Sequence, residues 1–224
     1  MELKGLKAIF LGDSITEGAG ASCKDNAYWA VFGRNAGVEV KEYGIGGSRI
    51  SRQDPNPHSN PRSDRDFNLR AQEMDKDADI VCVFGGTNDY GHGFAPIGKF
   101  GDDTVWTFYG ACDCLMKYLV ETYPDSFIFF MTPLHRLNEE RVTGDGFRYP
   151  TLPLKGYVEI IREVAQKYSI PVLDLFKESG LNPAVPVIKE KYMKDGLHPT
   201  DLGHAKIAGM IEEFLKTKYY VKQK

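Results

Sequence analysis

Residues 79–84 read DIVCVF and are closed by Gly85 and Gly86. A nearly continuous apolar run of this length, bounded by glycines, is typical of a β-strand that is buried on both faces of a sheet. Four further segments have the length and character of strands: residues 7–11 (KAIFL), 38–43 (VEVKEY), 126–131 (SFIFFM) and 170–173 (IPVL). The sequence therefore predicts five strands.

Segments with helical spacing separate these strands. In residues 104–122, apolar side chains recur at steps of three or four: Val105, Phe108, Cys112, Leu115 and Leu119. Similar segments are residues 28–37, 63–74 with Ser63 as the expected cap, 154–168 and 200–216. Helices that alternate with buried strands predict a doubly wound α/β fold with a parallel sheet, and a chain of 224 residues favours one domain over residues 1–224.

Composition argues against several classes of function. The formal net charge is −3 and both signs are mixed along the chain, so no basic surface for nucleic acid is expected. No apolar run approaches the roughly 20 residues of a membrane span. The N-terminus lacks the apolar core of a signal peptide, and the four cysteines (Cys23, Cys82, Cys112 and Cys114) suit free thiols, which together predict a cytoplasmic location. Without a Cys-x-x-Cys pair or clustered histidines, no metal site is expected.

Three long loops, residues 44–62, 85–103 and 132–150, all follow predicted strands. In a doubly wound sheet, chemistry takes place outside the carboxyl ends of the strands. Long loops inside a compact domain also tend to be functional. Candidate residues are therefore expected where strands end.

The first strand runs into Gly12, Asp13 and Ser14. A serine at this position can begin a helix, where its own amide points outward and can bind an oxyanion. The alternative is that Ser14 is only a helix cap with Glu17 as its capping-box partner. The Gly-x-Ser-x-Gly elbow of the α/β hydrolases is absent.

Two more segments carry weaker signals. Residues 44–49 (GIGGSR) contain glycines that allow a close backbone approach to a ligand, although a plain tight turn explains them equally well. Residues 85–90 (GGTNDY) include Asn88, whose side chain can donate to developing negative charge, or can form an Asx turn.

Residues 195–200 read DGLHPT. The proline after His198 disfavours helix there, so the imidazole is expected on a loop, with Thr200 or Asp201 capping the next helix. Asp195 is close enough in sequence to accept from Nδ1 of His198, which would leave Nε2 free as a general base. A purely structural Asp–His turn remains the alternative.

Taken together, these four segments resemble the conserved blocks of the SGNH/GDSL hydrolase family, and the likeness extends from residue 8 to residue 208. The four letters of the name match Ser14, Gly47, Asn88 and His198. Gly47 is preferred to Gly46 because Ser48 and Arg49 follow it. One departure is Gly44, which occupies a position where related sequences often have asparagine.

The resemblance implies a three-layer αβα sandwich of the flavodoxin-like kind, with a five-stranded parallel sheet in the order 2-1-3-4-5. It also implies ester hydrolysis through an acyl-enzyme, with Ser14 as nucleophile, His198 as base and Asp195 as its partner. The oxyanion would be held by the amides of Ser14 and Gly47 and by the side chain of Asn88. No cofactor is expected.

The motifs leave the substrate open. Polar and aromatic side chains in the long loops favour a short acyl group, chiefly acetyl, on a carbohydrate or another polar alcohol. These side chains are Arg49, His58, His92, Phe94, His135, Arg136 and Tyr149. Asp13, Arg49, Phe94 and His135 are the candidate substrate-binding residues. The alternatives are a lysophospholipase or thioesterase for longer chains, and a noncatalytic α/β binding module.

Overall fold

The computed structural model describes residues 3–54, 61–143 and 149–219. Its sheet contains five parallel strands in the order β2-β1-β3-β4-β5. The strands are β1 (Lys7–Gly12), β2 (Glu39–Gly44), β3 (Ile80–Phe84), β4 (Phe127–Met131) and β5 (Val172–Leu173). The predicted α/β class, the number of strands and their order are confirmed.

The helices described are α1 (Ser14–Glu17), α2 (Tyr28–Ala36), α3 (Phe67–Ala71), α4 (Thr87–His92), α5 (Phe108–Thr122), α6 (Leu154–Lys167), α7 (Leu175–Glu178), α8 (Pro186–Tyr192) and α9 (Asp201–Lys218). None of the helices in these ranges combines the length and the apolar character that a membrane-spanning segment needs.

Two apolar cores lie on opposite faces of the sheet, because successive strand residues point to opposite sides. Ile9, Val81 and Phe130 belong to the core that the sheet shares with α3, α5 and α6. Phe10 and Cys82, their neighbours in sequence, belong to the core shared with α2 and α9. This arrangement gives the three layers that the family resemblance implies.

Four sequence-based boundaries are wrong. The predicted helix over residues 104–122 begins only at Phe108, because Thr107 caps it by accepting from Gly110 N. The predicted helix over residues 63–74 is shorter, because Asp66, and not Ser63, caps α3 by accepting from Leu69 N at 3.1 Å. The predicted loop over residues 85–103 contains α4, which starts after Gly86 in the left-handed region (φ +102°). The fifth strand is limited to Val172–Leu173, since Ile170 N donates to Ala165 O and Pro171 has no N–H.

Candidate active site

Ser14 is the first residue of α1, directly beyond the carboxyl end of β1. Asp13 is the cap of this helix, and its Oδ1 accepts from Ile15 N at 3.0 Å. The alternative in which Ser14 is only a cap is therefore wrong. As the first helical residue, Ser14 presents its amide at the helix N-terminus, where the partial positive charge favours an anion.

His198 lies on the loop before α9, opposite Ser14. Its Nε2 is 3.0 Å from Ser14 Oγ, and its Nδ1 is 2.6 Å from Asp195 Oδ2. Asp195 Oδ1 also accepts from the backbone N–H groups of Leu197 (2.9 Å) and His198 (2.7 Å). Hydrogen bonds thus link Ser14, His198 and Asp195 in series, although Ser14 and His198 are 184 positions apart in the sequence.

The charge on Asp195 determines which way this chain is polarised. Burial raises the pKa of the Asp195 carboxyl, but the hydrogen bonds from His198 and Leu197 outweigh that effect and hold the pKa below its usual value. An ionised carboxylate only accepts hydrogen bonds, so Nδ1 of His198 must donate. Nε2 then carries the lone pair that accepts from the Ser14 hydroxyl, as a general base requires.

The loop after β2 folds back over α1 as a tight turn in which Ser48 N donates to Ile45 O. Gly46 N donates to Glu17 Oε2 at 2.7 Å, so this amide is already occupied. Within the described residues, no acceptor is found for Gly47 N. Gly47 has φ +77°, a conformation that favours glycine, and its free amide distinguishes it from Gly46.

The departure at Gly44 has a steric reason. A Cβ atom on this residue would lie 2.2 Å from Glu17 N and 2.6 Å from the carbonyl carbon of Thr16. The end of β2 therefore packs directly against α1, and no side chain fits between them. This contact keeps the Gly46–Gly47 turn beside Ser14, whose Cβ is 3.7 Å from the position of a Gly46 Cβ.

Asn88 lies in the first turn of α4, and not in the Asx turn considered from the sequence. It is buried, and its Nδ2 donates to Ser48 O at 3.0 Å. His92 stands one helical turn later, with Nε2 3.1 Å from Asn88 Oδ1. One N–H of the Asn88 amide is thus held by the β2 loop, and the second has no partner among the described residues.

Two of the four candidate substrate-binding residues are buried. Asp13 lies behind Ser14, where burial raises the pKa of its carboxyl to about 6 despite the bond from Ile15 N. Arg49 forms an ion pair with Asp64 at 2.9 Å and lies 3.5 Å from His92 Nδ1. Both side chains make internal contacts of the site in this structure.

The other two candidates differ from each other. Phe94 is 39% exposed, and its backbone N–H donates to Gln53 Oε1 at 2.7 Å. His135 is held by Glu139, with Nδ1 2.7 Å from Oε1, and its ring lies 3.9 Å from that of Phe176. Among the further loop residues, Arg136 Nη1 donates to Thr87 O at the start of α4. His58 lies outside the described residues.

Two buried residues, Arg70 and Asp89, have a supporting role that the sequence did not predict. Arg70 on α3 donates to Gly12 O at the end of β1, to Tyr43 O in β2, and to Ser48 Oγ. Asp89 accepts from Ile50 N and from Ser51 N, both at 2.9 Å, and from Ser51 Oγ. Both residues fix the loop that carries Gly47. Their spacing gave no signal, because their partners are distant backbone atoms.

In the part of the chain that the structure describes, no three histidine, cysteine, aspartate or glutamate side chains cluster as ligands for a metal ion. The polar groups near Ser14 instead form hydrogen bonds with one another. Such an arrangement can take a proton from a hydroxyl and can offer N–H donors to an anion.

Known structures share this fold. A protein from Lactobacillus plantarum is 30% identical, with 98% of this chain and 100% of that chain covered and a TM-score of 0.81. A lipase/acylhydrolase from Enterococcus faecalis is 20% identical, with coverage of 98% and 100% and a TM-score of 0.63. An acetyl xylan esterase is 21% identical, with coverage of 94% and 100% and a TM-score of 0.64. No curated protein sequence matches this chain.

The sequence also matches a family model over most of its length. The match covers residues 10–206, which include Ser14, Gly47, Asn88, Asp195 and His198. The match covers more than half of the chain. It is consistent with the strand order of the sheet and with the contacts that Ser14 makes with His198. The chain belongs to the GDSL-like Lipase/Acylhydrolase family.

Proposed function

We propose that this chain is a serine esterase in which Ser14 is the nucleophile, His198 the general base and Asp195 the partner of His198. Membership of the family supports a hydrolase that acts on esters. The observation that carries the assignment is that hydrogen bonds link the three side chains in series. The distance from Ser14 Oγ to His198 Nε2 is 3.0 Å, and that from His198 Nδ1 to Asp195 Oδ2 is 2.6 Å.

The reaction follows from these contacts. Ser14 Oγ forms a bond to the ester carbonyl carbon while its proton passes to His198 Nε2, and the carbonyl electron pair moves to the oxygen. When the tetrahedral intermediate collapses, the bond to the alcohol breaks and His198 protonates the leaving oxygen. Water then attacks the acyl-enzyme with His198 again as the base, which releases the acid and restores Ser14.

Three donors hold the oxyanion in this proposal: the amides of Ser14 and Gly47 and the Nδ2 group of Asn88. Two N–H groups that have no acceptor among the described residues, the Gly47 amide and the second N–H of Asn88 Nδ2, support this assignment. Preorganised donors stabilise charge that develops only in the transition state, and the loss of one costs about 10²–10³ in kcat. We propose no metal or cofactor.

We propose a short acyl group, chiefly acetyl, on a carbohydrate or another polar alcohol. Polar groups border the proposed donors: Glu17 accepts from Gly46 N and pairs with Arg62, and His92 contacts Asn88. Phe94 adds an exposed aromatic side chain on the loop after α4, and we retain it as a substrate contact. The acetyl xylan esterase of similar fold is consistent with this substrate class.

One contact favours the alternative of a longer acyl chain. Leu137 is 36% exposed, and its N–H donates to Gly196 O on the loop that carries His198. Its side chain also packs against Gly196, where a Cβ atom would lie 2.4 Å from Leu137 Cδ1. An apolar side chain beside the proposed base can cover the first carbons of a longer acyl group.

Hydrolysis of p-nitrophenyl esters from acetyl to decanoyl, followed by a panel of acetylated sugars, tests both parts of the proposal. We expect kcat/KM to be highest for acetyl or butyryl, and a rise through decanoyl would favour the lipase-like alternative. A fluorophosphonate should add one label, at Ser14, and Ser14→Ala should abolish both labelling and turnover. Labelling elsewhere in an active preparation would remove Ser14 as the nucleophile.

A further inference from the structure

Asn88 can hold an oxyanion only if its amide group is turned the right way. The side chain has two faces of similar shape, one a carbonyl that repels negative charge and one an NH₂ that attracts it. A contact that distinguishes the two faces therefore decides whether the residue can act as a donor. The bond from Nδ2 to Ser48 O provides one such contact, and His92 provides the other.

His92 is placed between the two loops that carry the proposed donors. Its Nε2 is 3.1 Å from Asn88 Oδ1, one helical turn earlier on α4. Its Cε1 lies 4.0 Å from the position that a Cβ atom would take on Gly47. The imidazole thus contacts one donor directly and packs beneath the turn that carries the other.

The surroundings of His92 determine its tautomer. Arg49 Nη1 is 3.5 Å from Nδ1, and a guanidinium offers only N–H groups, so a proton on Nδ1 would face another donor. Asp64 holds Arg49 in that position at 2.9 Å. The contact with Arg49 therefore favours the neutral tautomer with the proton on Nε2, where it points at Asn88 Oδ1.

Partial burial lowers the pKa of His92 and the positive charges of Arg49 and Arg136 lower it further, which together outweigh a hydrogen bond with its own backbone that raises it. The ring is accordingly neutral at neutral pH. A neutral imidazole adds no charge beside the oxyanion, but its N–H locks the orientation of the amide. The same bond draws electron density toward Oδ1 and makes the free N–H of Nδ2 a stronger donor.

We infer that His92 is the positioning residue of the oxyanion site: its Nε2–H, fixed by the Arg49–Asp64 ion pair, holds Asn88 with an N–H toward the oxyanion. This inference rests on the proposed function of Asn88. Among the described residues no hydrogen bond joins His92 to Ser14, so its effect on the oxyanion passes through Asn88. Arg49, expected from the sequence to bind substrate, acts here as the partner of His92.

A pair of matched variants separates the N–H from the bulk of the ring. His92→Phe keeps a ring of similar size but has no donor, whereas a glutamine at this position can offer an N–H near the place of Nε2. We expect His92→Phe to lower kcat about 10- to 100-fold with little change in KM, which is less than the roughly 10²–10³-fold loss caused by removal of an oxyanion donor itself. His92→Gln should restore most of the loss.

A double-mutant cycle with Asn88→Ala gives the decisive readout. If His92 acts through Asn88, then His92→Phe has no further effect on kcat once Asn88 is alanine. Losses that multiply in the double variant would overturn the inference, as would wild-type kcat in His92→Phe. A Ser14→Ala variant that keeps its activity would instead contradict the proposed function, so the two failures are distinguishable.

The tautomer can be tested without any turnover. Nitrogen-15 NMR of the imidazole rings distinguishes a protonated Nε2 from a protonated Nδ1. We expect the His92 ring to be neutral at pH 7, with the proton on Nε2. A proton on Nδ1, or a cationic ring, would rule out this orientation of Asn88 even if the protein proved to act on no ester.

Discussion

Asp89 and Asp195 make nearly the same contacts but lie in opposite surroundings. Each accepts from two consecutive backbone amides and from one side chain: Ile50, Ser51 and the Ser51 hydroxyl for Asp89, and Leu197, His198 and the His198 ring for Asp195. The side chain of Asp195 is 55% exposed, whereas Asp89 is 3% exposed.

Burial reverses the electrostatic outcome. It raises the pKa of Asp89 above its usual value despite three hydrogen bonds, but at Asp195 the hydrogen bonds outweigh a weaker desolvation and lower the pKa. Asp195 therefore keeps a negative charge available to an imidazolium, while Asp89 holds the Gly47 loop in a dry interior. The side of the site with the proposed base, called the base side below, is open, and the side with the proposed oxyanion donors, called the oxyanion side, is a buried polar network.

The comparison implies that substitutions on the two sides of the site affect rate and stability differently. Contacts of an exposed ion pair add little to stability, because solvent screens the charges and both side chains lose entropy. Breaking a buried network leaves donors unpaired, which costs folding free energy. Variants on the base side should therefore lose rate and keep their stability, and variants on the oxyanion side should lose both.

The largest expected effect is that of His198→Ala. Without a base, Ser14 cannot lose its proton, and kcat should fall by roughly 10⁴–10⁶. The Tm should stay close to that of the wild type, because His198 lies on a loop at the rim of the sheet. Turnover and Tm measured on the same preparations decide the case. Normal turnover per folded molecule would leave only a structural Asp–His turn.

Asp195→Asn should be the next most severe change. An asparagine can donate to Nδ1 and so favour the wrong tautomer of His198, a change that costs about 10⁴ in serine-protease triads. We expect a loss of about 10²–10⁴ in kcat here, at unchanged Tm. In the double variant with His198→Ala, kcat should be little lower than in His198→Ala alone. Multiplying losses would show that Asp195 has a role apart from His198.

The strands and the residues that follow them could be predicted because both signals are local. Four apolar runs and one segment that alternates with period two, residues 38–43, define the sheet, and Ser14, Asn88 and His198 lie in short motifs beyond or between its elements. The short helix α4 could not be predicted, because its first four side chains, Thr87–Tyr90, are all buried and show no amphipathic spacing.

The supporting residues of the site could not be predicted from spacing. Arg70 looks like an ordinary basic residue of a helix, yet it is buried because the carbonyl groups of Gly12 and Tyr43 accept from it. Arg49 was expected to meet substrate, but Asp64 and His92 hold it inside. In each case the partner lies on a different segment, and only the packing of the fold brings the two together.

Asp89→Ala tests the buried side of the comparison. The change leaves the amides of Ile50 and Ser51 without an acceptor, and each buried unpaired donor costs about 1–3 kcal/mol. A total of roughly 2–6 kcal/mol should lower the Tm by about 4–24 °C in a chain of this size. Asp195→Ala is the matched control, since it removes the same kind of contacts at an exposed position. An equal loss of Tm in both variants would contradict the comparison.

The smallest effect concerns a buried support beneath the base side. His204 on α9 is buried, with Nδ1 accepting from Tyr28 N at 3.2 Å and Nε2 3.2 Å from Ala19 O. Gly20, which follows Ala19 in the sequence, packs against the loop of His198: a Cβ atom on Gly20 would lie 2.2 Å from Pro199 O. The loop of His198 therefore packs against the Ala19–Gly20 segment, which the buried imidazole of His204 holds in place.

Burial lowers the pKa of His204, although Ala19 O and Asp201 favour its charged form. Below about pH 6.5 the ring of the unfolded chain binds a proton that the folded ring resists, so its contribution to stability is complete above that pH and is lost as the pH falls. Glutamine does not titrate, so His204→Gln lacks this source of acid destabilisation. We therefore expect its Tm to fall less between pH 7.5 and pH 5.5 than the Tm of the wild type does. Asp13, whose raised pKa acts in the opposite direction, and His92 contribute equally to both proteins. The same pH dependence of Tm in the two proteins would show that His204 is not held neutral by the fold.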